Sequence, residues 1–503
     1  MQTDVYKPVD IRIKADYPNG NPFFARLEGR FTAPDGEILR VPGFYAGGDH
    51  WVIRFSPTRP GTWAYTVRSA DISELDGTTG EVTATVPVNP CHGVLRVSEA
   101  YPMHFSFEDG TPHFMNAYEC DWLWALDLES GGLEKTYEMV RQIKSYNFNT
   151  VLMNVFAYDS SWTPGKTSEY DYGPPAAYAW EGSNDAPDHS RINTAFFDHL
   201  DDVIHLLYEN GIMVHLFFKV YNKAVNYPEK FSLEDDLYFT YITARYQAYP
   251  NITWDFSKES KNEPDKDYLE NRLCFIKSLD AYRHMVTTHD DPGYFISESR
   301  RRSVDFFTAQ QHTNFYYSAL VARERYQLPY FNSEFGYEHG QGGIDDITFQ
   351  ASTPPEEFIQ RAYEVVMAGA YPAYYYTYTA WDVIDYRYEP PGYRYFKILY
   401  DFFTSLEWWK FEPSLELVQP NTGLCMAYGK EELIVFPGLR DRDRAGIFMT
   451  GPLAYEEYHG FWMDIFNGER VDVKKGSLQR NTKGLLHLTI PFPSKTGVLY
   501  LKK

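Results

Sequence analysis

Apolar positions change their spacing twice along this chain, from alternate residues to a helical stripe and back. In residues 1–90, Trp51, Ile53 and Phe55 alternate with Val52 and Arg54, and a PTRPG turn leads to Trp63, Tyr65 and Val67 on alternate positions. Val82, Ala84, Val86 and Val88 repeat the pattern. Alternation puts one set of side chains on one face of a strand, and several short strands separated by turn signals read as a small β-sandwich.

From 97 to 406 strand-like and helix-like segments take turns, which predicts a parallel α/β architecture. Leu133, Tyr137, Val140 and Ile143 form one helical stripe, and Phe196, Leu200, Val203 and Leu207 form another that Asn210 and Gly211 end. Helices are also expected from about Asp236 to Ala248 and from Tyr268 to Arg283. Near Thr353-Pro-Pro-Glu356 a further helix should open, with Thr353 capping and Glu356 closing the capping box. Between the helices lie PHFMNAYE, Thr150 to Phe156, IMVHLFF, the stretch ending at Glu259, His284 to Thr288, SVDFFTAQQH, the stretch ending at Glu334, and Tyr374 to Trp381. Eight strand-helix units make a (β/α)8 TIM barrel, whose working face is the C-terminal end of its strands. Alternation returns over 412–503, in ELIVFP, AGIFM, FWMDIF with an Asn467-Gly468 turn to ERVDV, and Leu486, Leu488, Ile490. That region is predicted as a C-terminal β-sandwich.

Besides strand one, which closes on Glu119, two of the predicted strands end in an acid. Leu328, Tyr330 and Phe331 run into Asn332, Ser333 and Glu334, while Ile252, Trp254 and Phe256 alternate up to Glu259. Glycoside hydrolysis needs two carboxyl groups beside one bond, one protonated to help the leaving oxygen and one ionised to meet the anomeric carbon. Glu263, Glu298, Glu338 and Asp255 compete for these roles, Glu263 most closely because it lies four residues beyond Glu259.

With Glu259 on strand four and Glu334 on strand seven, the barrel resembles the clan A glycoside hydrolases. That resemblance implies that Glu259 is the acid/base and Glu334 the nucleophile of a retaining enzyme. Lys258 stands where the clan usually has an asparagine that touches the sugar's 2-hydroxyl. In layout the chain resembles the apiosidase-type family, which carries an Ig-like domain of unknown function before the barrel and a small accessory β domain after it. The strings GNPF, FTAPDG, GFYAGGDHW and RFSPTRPGTW carry the N-terminal part of that likeness. The implied activity is exo-release of a terminal sugar, of apiosidase or other pentosidase type, from neutral plant-type glycosides.

Further candidates for holding a sugar lie at the same strand ends. Asp121 and Trp122 follow strand one, and an acid there can accept hydrogen bonds from two vicinal hydroxyls. Asn154 closes strand two, Lys219 closes strand three, Lys258 precedes Glu259, and His312 follows strand six beside the nucleophile's strand. Trp381, at the end of the predicted strand eight, offers a flat indole face to a sugar ring. His215, in mid-strand, is assigned to the core.

Composition narrows the partners. In 503 residues with a net charge of −22, clustered Lys and Arg for nucleic acid or an anionic membrane are not expected, and a neutral small carbohydrate fits better. An aromatic share of 17% supplies both cores and stacking platforms. Cys91, Cys120, Cys274 and Cys425 show no metal-ligand spacing, and His-x-His ligands are not seen at strand ends one and eight, so neither metal nor cofactor is expected. The N-terminus has no apolar core of signal-peptide length, and no run reaches membrane-span length, so a cytoplasmic protein is expected, with a homo-oligomer open. The competing readings are a carbohydrate-binding protein on a degenerate barrel and a metal-dependent barrel hydrolase.

Overall fold

The computed structural model describes residues 1–17, 20–159, 169–290, 298–343, 351–438 and 446–503. Its centre is a sheet of parallel strands in eight positions: Ala117–Glu119, Thr150–Asn154, Met213–Val220, Ile252–Lys258, a split fifth strand, Phe307–Gln310, Tyr330–Glu334 and Tyr371–Tyr374. The fifth consists of Val286–Thr287, paired with strand four, and His289–Asp290, paired with strand six, so the ring is nearly closed except at Thr288. Side chains bridge that break: Asp255 accepts from the His289 amide (3.1 Å), and the Ser260 hydroxyl donates to the His289 carbonyl (2.9 Å). Helices α1 (Glu134–Ser145), α2 (Thr194–Glu209), α3 (Leu233–Tyr246), α4 (Lys266–Leu279), α5 (Glu298–Ser303), α6 (Phe315–Tyr326), α7 (Pro355–Met367) and α8 (Pro391–Thr404) follow the strands. This is the expected (β/α)8 barrel.

Period explains most of the layering. Trp254 and Phe256 of strand four face outward, the indole N–H donating to Asp280 (2.8 Å) and Phe256 stacking on Phe239 of α3. Asp255, between them, faces inward to His215 (2.9 Å), a core pair as assigned. Phe196, Leu200, Val203 and Leu207 are all buried on α2, with the Asn193 side chain capping its start.

Four expectations fail locally. Strand eight is Tyr371–Tyr374; the stretch beyond it leaves the sheet as loop and a 3-10 turn at Thr377–Thr379, so Trp381 lies in the following loop. Helix α7 starts with Pro354 at its cap and no side-chain cap bond, so the Thr353 capping box does not form. Val86 and Val88 are exposed, because the strand they were to extend ends at Thr85 and the chain there has become linker. In the C-terminal domain Met463 pairs with Arg470, so Asn467-Gly468 sits in a longer connection than a two-residue turn.

Both β domains lie against the barrel. The N-terminal one has a five-stranded sheet and a three-stranded sheet, with Ile53, Phe55 and Trp63 in the core between them. The reverse face of the strand His50–Phe55 also finds a partner. Val52 joins the barrel's core, and buried Arg54 donates to Asp10 (2.8 Å), to Asp201 of α2 (2.8 Å) and to the Arg245 carbonyl of α3 (2.9 Å). A six-stranded sheet forms most of the C-terminal domain, and its Phe436 stacks on Tyr363 of α7.

Candidate active site

The strand ends converge on one buried ammonium. Lys258, the last residue of strand four, is 1% exposed and donates to Glu119 Oε1 (2.7 Å), Asp121 Oδ2 (2.7 Å) and the Tyr375 hydroxyl (3.2 Å), and it lies 3.4 Å from Glu334 Oε2. Strands one, four, seven and eight are thereby joined at the mouth. Burial alone would strip the proton from Lys258, but Asp121, Glu119 and Glu334 outweigh it and raise its proton affinity far above that of an ordinary lysine.

Glu334 is buried at the end of strand seven. Its Oε1 accepts from Gln310 Nε2 of strand six (3.0 Å) and from the Tyr337 hydroxyl. Burial acts to raise its pKa, yet Lys258 chiefly, with smaller contributions from His289, His312 and the Tyr337 bond, holds it well below the usual carboxylate range. Glu334 is thus an ionised, oriented carboxylate, which is what a nucleophile requires.

Glu259 sits in a different setting. It is half-buried, with a left-handed φ of 54° that ends strand four abruptly and turns its side chain into the mouth. Holding a non-glycine residue there costs about 1–3 kcal/mol, a strain that recurs at functional sites. Oε1 accepts from Asn222 (3.0 Å), in the loop after strand three, and Oε2 from Asn262 (2.8 Å). Two residues on, Lys261 donates to Gln310 Oε1 (2.9 Å), so Gln310 links the loop of one glutamate to the carboxylate of the other.

Around this pair the remaining candidates separate. Asp121 is in the cluster, also accepting from the Tyr375 hydroxyl (3.0 Å). Asn154 is fully buried at the end of strand two, its backbone N–H bonded to the Asp121 carbonyl (3.0 Å) and neither side-chain amide atom partnered among the described residues. His312 lies close enough to bear on Glu334 electrostatically. Trp381 also has a left-handed φ, of 59°; it packs edge-on to Tyr337 and carries the Lys223 ammonium over its ring at 4.8 Å. Trp122 is fully buried and stacked on Trp124, in the core behind the strand-one loop rather than as an open platform. Lys219 is a correction: its ammonium points into the helix layer, to Asp235 of α3 (3.0 Å) and the Tyr268 hydroxyl of α4, away from the mouth.

Of the competing acids, Asp255 is held by His215 inside the barrel, and Glu263 is bound to Lys230 and the Asp265 amide (2.7 Å). Glu338 accepts from the Tyr374 hydroxyl (2.7 Å) and the Gly392 amide (3.2 Å). The side chain of Glu298 lies outside the described residues. Sequence reasoning passed over Tyr337, Tyr375, Asn222 and His289. His289 is fully buried at the end of split strand five, with both ring nitrogens unpartnered and burial pulling its pKa down to about 3. Its signal was available, since strand five read one residue longer ends on it. Buried polar atoms without a partner cost about 1–3 kcal/mol each. His289, Asn154, Asp121 Oδ1 and Glu119 Oε2 therefore present donors and acceptors suited to hydroxyl groups. Among the described residues no cluster of His, Cys, Asp or Glu is arranged to hold a metal ion.

A nearly closed ring of parallel strands, with glutamates at the ends of strands four and seven, is the (β/α)8 arrangement, and the comparisons with known proteins make it that of a glycoside hydrolase. The family model for the apiosidase-like catalytic domain matches residues 102–410, and the chain belongs to that family; a second, for a domain of unknown function (DUF5060), matches residues 2–70. Among solved structures, a Bacteroides vulgatus protein assigned as a glycoside hydrolase superposes with a TM-score of 0.81 at 19% identity, over 100% of this chain and 99% of that one. A family 5 glycoside hydrolase from the same organism superposes at 0.58 with 15% identity, over 82% and 93%. No curated protein matches the sequence.

Proposed function

We propose that this glycosidase is a retaining, exo-acting enzyme that removes a terminal sugar, of pentose or apiose type, from neutral plant-type glycosides. The observation that carries the reading is the unequal setting of the two glutamates. Glu334 is buried under an ammonium and two neutral donors, which suits attack on the anomeric carbon. Glu259 stands at the rim between two amides, which suits proton transfer to and from the leaving oxygen and then water. Exo action is supported by Asp121 beneath the mouth, a carboxylate of the kind that accepts from the vicinal hydroxyls of a chain end. A neutral glycone is supported by Lys258, whose ammonium is already enclosed by the carboxyl groups of Glu119, Asp121 and Glu334 and has none of its charge to offer a uronate. The four cysteines, all free thiols, support a cytoplasmic location.

In this mechanism Glu334 displaces the aglycone as Glu259 protonates it, and water activated by Glu259 then releases the sugar. Aryl pentosides followed by proton NMR test it: the first-formed sugar keeps the anomeric configuration of the substrate. Glu334→Ala abolishes turnover on every substrate. Glu259→Ala keeps glycosyl-enzyme formation from aryl glycosides with good leaving groups, and azide speeds its release. A first-formed product of inverted configuration would sink retention, and an acid/base phenotype at Glu263→Ala but not Glu259→Ala would reassign the acid.

A further inference from the structure

Three carboxylates share the Lys258 ammonium, and one positive charge cannot compensate three buried negative ones. Leaving two in excess inside the barrel would cost several kcal/mol in desolvation and mutual repulsion, so one of them holds a proton. Their donors decide which. Glu334 has Gln310 and Tyr337 as donors with the Lys258 ammonium 3.4 Å away, and Asp121 has Lys258 and Tyr375. Among the described residues Glu119, fully buried, has Lys258 alone, at 2.7 Å to Oε1, and no partner for its Oε2.

Resting on the retaining mechanism proposed above, we infer that Glu119 is a positioning residue held as a neutral carboxylic acid, so that Lys258 divides its charge between Asp121 and the nucleophile Glu334 only. The groups that face it agree. Asp121 in its own loop and Glu334 from strand seven repel a charge on it, and Lys258 from strand four opposes them. The Cys120 thiol and the Tyr375 hydroxyl bring no cation. Burial first, then Asp121 and Glu334, raise the proton affinity of Glu119 well above that of an ordinary carboxyl, against the pull of Lys258. A carboxylic acid kept neutral at pH 7 by burial is a known device of active sites.

The consequence lies in the charge at each step. With Glu119 neutral, the resting cluster carries one net negative charge. When the Glu334 oxygen bonds to the anomeric carbon, the glycosidic C–O bond breaks and the leaving oxygen takes its proton from Glu259. The cluster then becomes electroneutral while Glu119 keeps its proton. An ionised Glu119 would draw Lys258 away from Glu334 throughout.

Infrared spectroscopy of the substrate-free protein in D2O tests this without any turnover. The wild type minus Glu119→Gln difference spectrum should contain the carbonyl stretch of a neutral acid, and in the wild type that band should persist to about pH 9, above the range in which Glu338 ionises. Its absence from the wild type at that pH overturns the proposal whether or not the variant folds. Kinetics give a second reading. Glu119→Gln should lower kcat/KM by less than about tenfold and leave the acid limb of the pH profile in place, whereas Asp121→Asn, by releasing Lys258 to Glu334, should move that limb down by about one pH unit. Equal shifts in the two variants would show that Glu119 is ionised. A wild type that shows the band but cleaves no glycoside would instead refute the proposed function and leave the protonation state standing.

Discussion

Lys219 and Lys258 end neighbouring strands, both all but inaccessible to solvent and both bonded to an acid and near aromatic rings, yet burial has opposite outcomes in the two. Around Lys219, burial acts to lower the proton affinity, and Asp235, helped weakly by Glu263 and opposed by the Arg272 cation, only partly restores it, so its pKa falls below that of an ordinary lysine. Around Lys258 the ionised Asp121 and Glu334, with the carboxyl of Glu119 beside them, reverse the sign. Desolvation is similar at the two sites; the number of opposing charges within reach is not. One lysine therefore fastens helices α3 and α4 to the barrel, and the other sets the charge of the mouth.

Replacing each lysine by methionine, which keeps much of the stem's volume, gives the sharpest test. Lys258→Met should lower kcat by about a thousandfold or more and move the acid limb of the pH profile up by at least about one unit, because Glu334 loses its cation. Lys219→Met should instead cost about 3 kcal/mol of stability in denaturant unfolding, the low end for breaking a buried pair, since Arg272 remains 3.5 Å from Asp235. Turnover of its folded fraction should be nearly intact. If the thermal loss follows Lys258 and the kinetic loss Lys219, the assignment of the two lysines is wrong.

The sequence could not separate them, and the reason is geometric. Through Phe217 and Phe256 the strands alternate, so strict parity sends Lys219 into the barrel beside His215 and Phe217, and Lys258 outward beside Trp254 and Phe256. Both do the opposite, because long side chains at strand ends reach around the sheet's last residue. Short, stiff residues followed their period: Phe256, Asp255, Leu200 and Val203 stand where alternation or the helical stripe puts them. The two glutamates were legible as acids closing apolar strands. The bonds that distinguish their roles were not, since Tyr337, Gln310, Asn222 and Asn262 reach them from four separate loops and strand ends. Strand eight was misread because Tyr371 to Tyr378 offers aromatic residues on both parities, which carries no information about where pairing stops.

Glu338 extends the comparison to a buried acid with no cation within its bonds. It meets only the Tyr374 hydroxyl and the Gly392 amide at the start of α8, and burial raises its pKa to about 7 against the pull of these donors. Because the folded value lies above the unfolded one, the folded state holds a proton that the unfolded chain has released between about pH 4.5 and 7. Its contribution is therefore fully present below about pH 4.5 and is lost as the pH rises through about 7, a change on the order of 3 kcal/mol in total. Unfolding free energies measured from pH 4 to 9 should lose that component of their slope in Glu338→Gln. An unchanged slope would mean that charge count does not govern this site.

Trp381 offers the smallest effect and the finest division between mouth and scaffold. Lys223, over its ring, is another buried lysine, paired with Asp159 at 3.2 Å, and like Lys219 its proton affinity is lowered, by burial first. Its position is different: Asn222, its neighbour, holds Glu259, so this loop joins the rim carboxyl to the tryptophan. Trp381 is outside the main core, in a small cluster with Tyr337, Tyr375 and Ala380, and its left-handed backbone is one that packing alone would rarely select. Trp381→Ala should thus lower kcat/KM by about 10- to 100-fold, chiefly through KM, as stacking on the sugar is lost. Its stability loss should stay below the roughly 3–5 kcal/mol expected for a core tryptophan. A loss of that full size with KM unchanged would return Trp381 to the scaffold, in the company of Lys219.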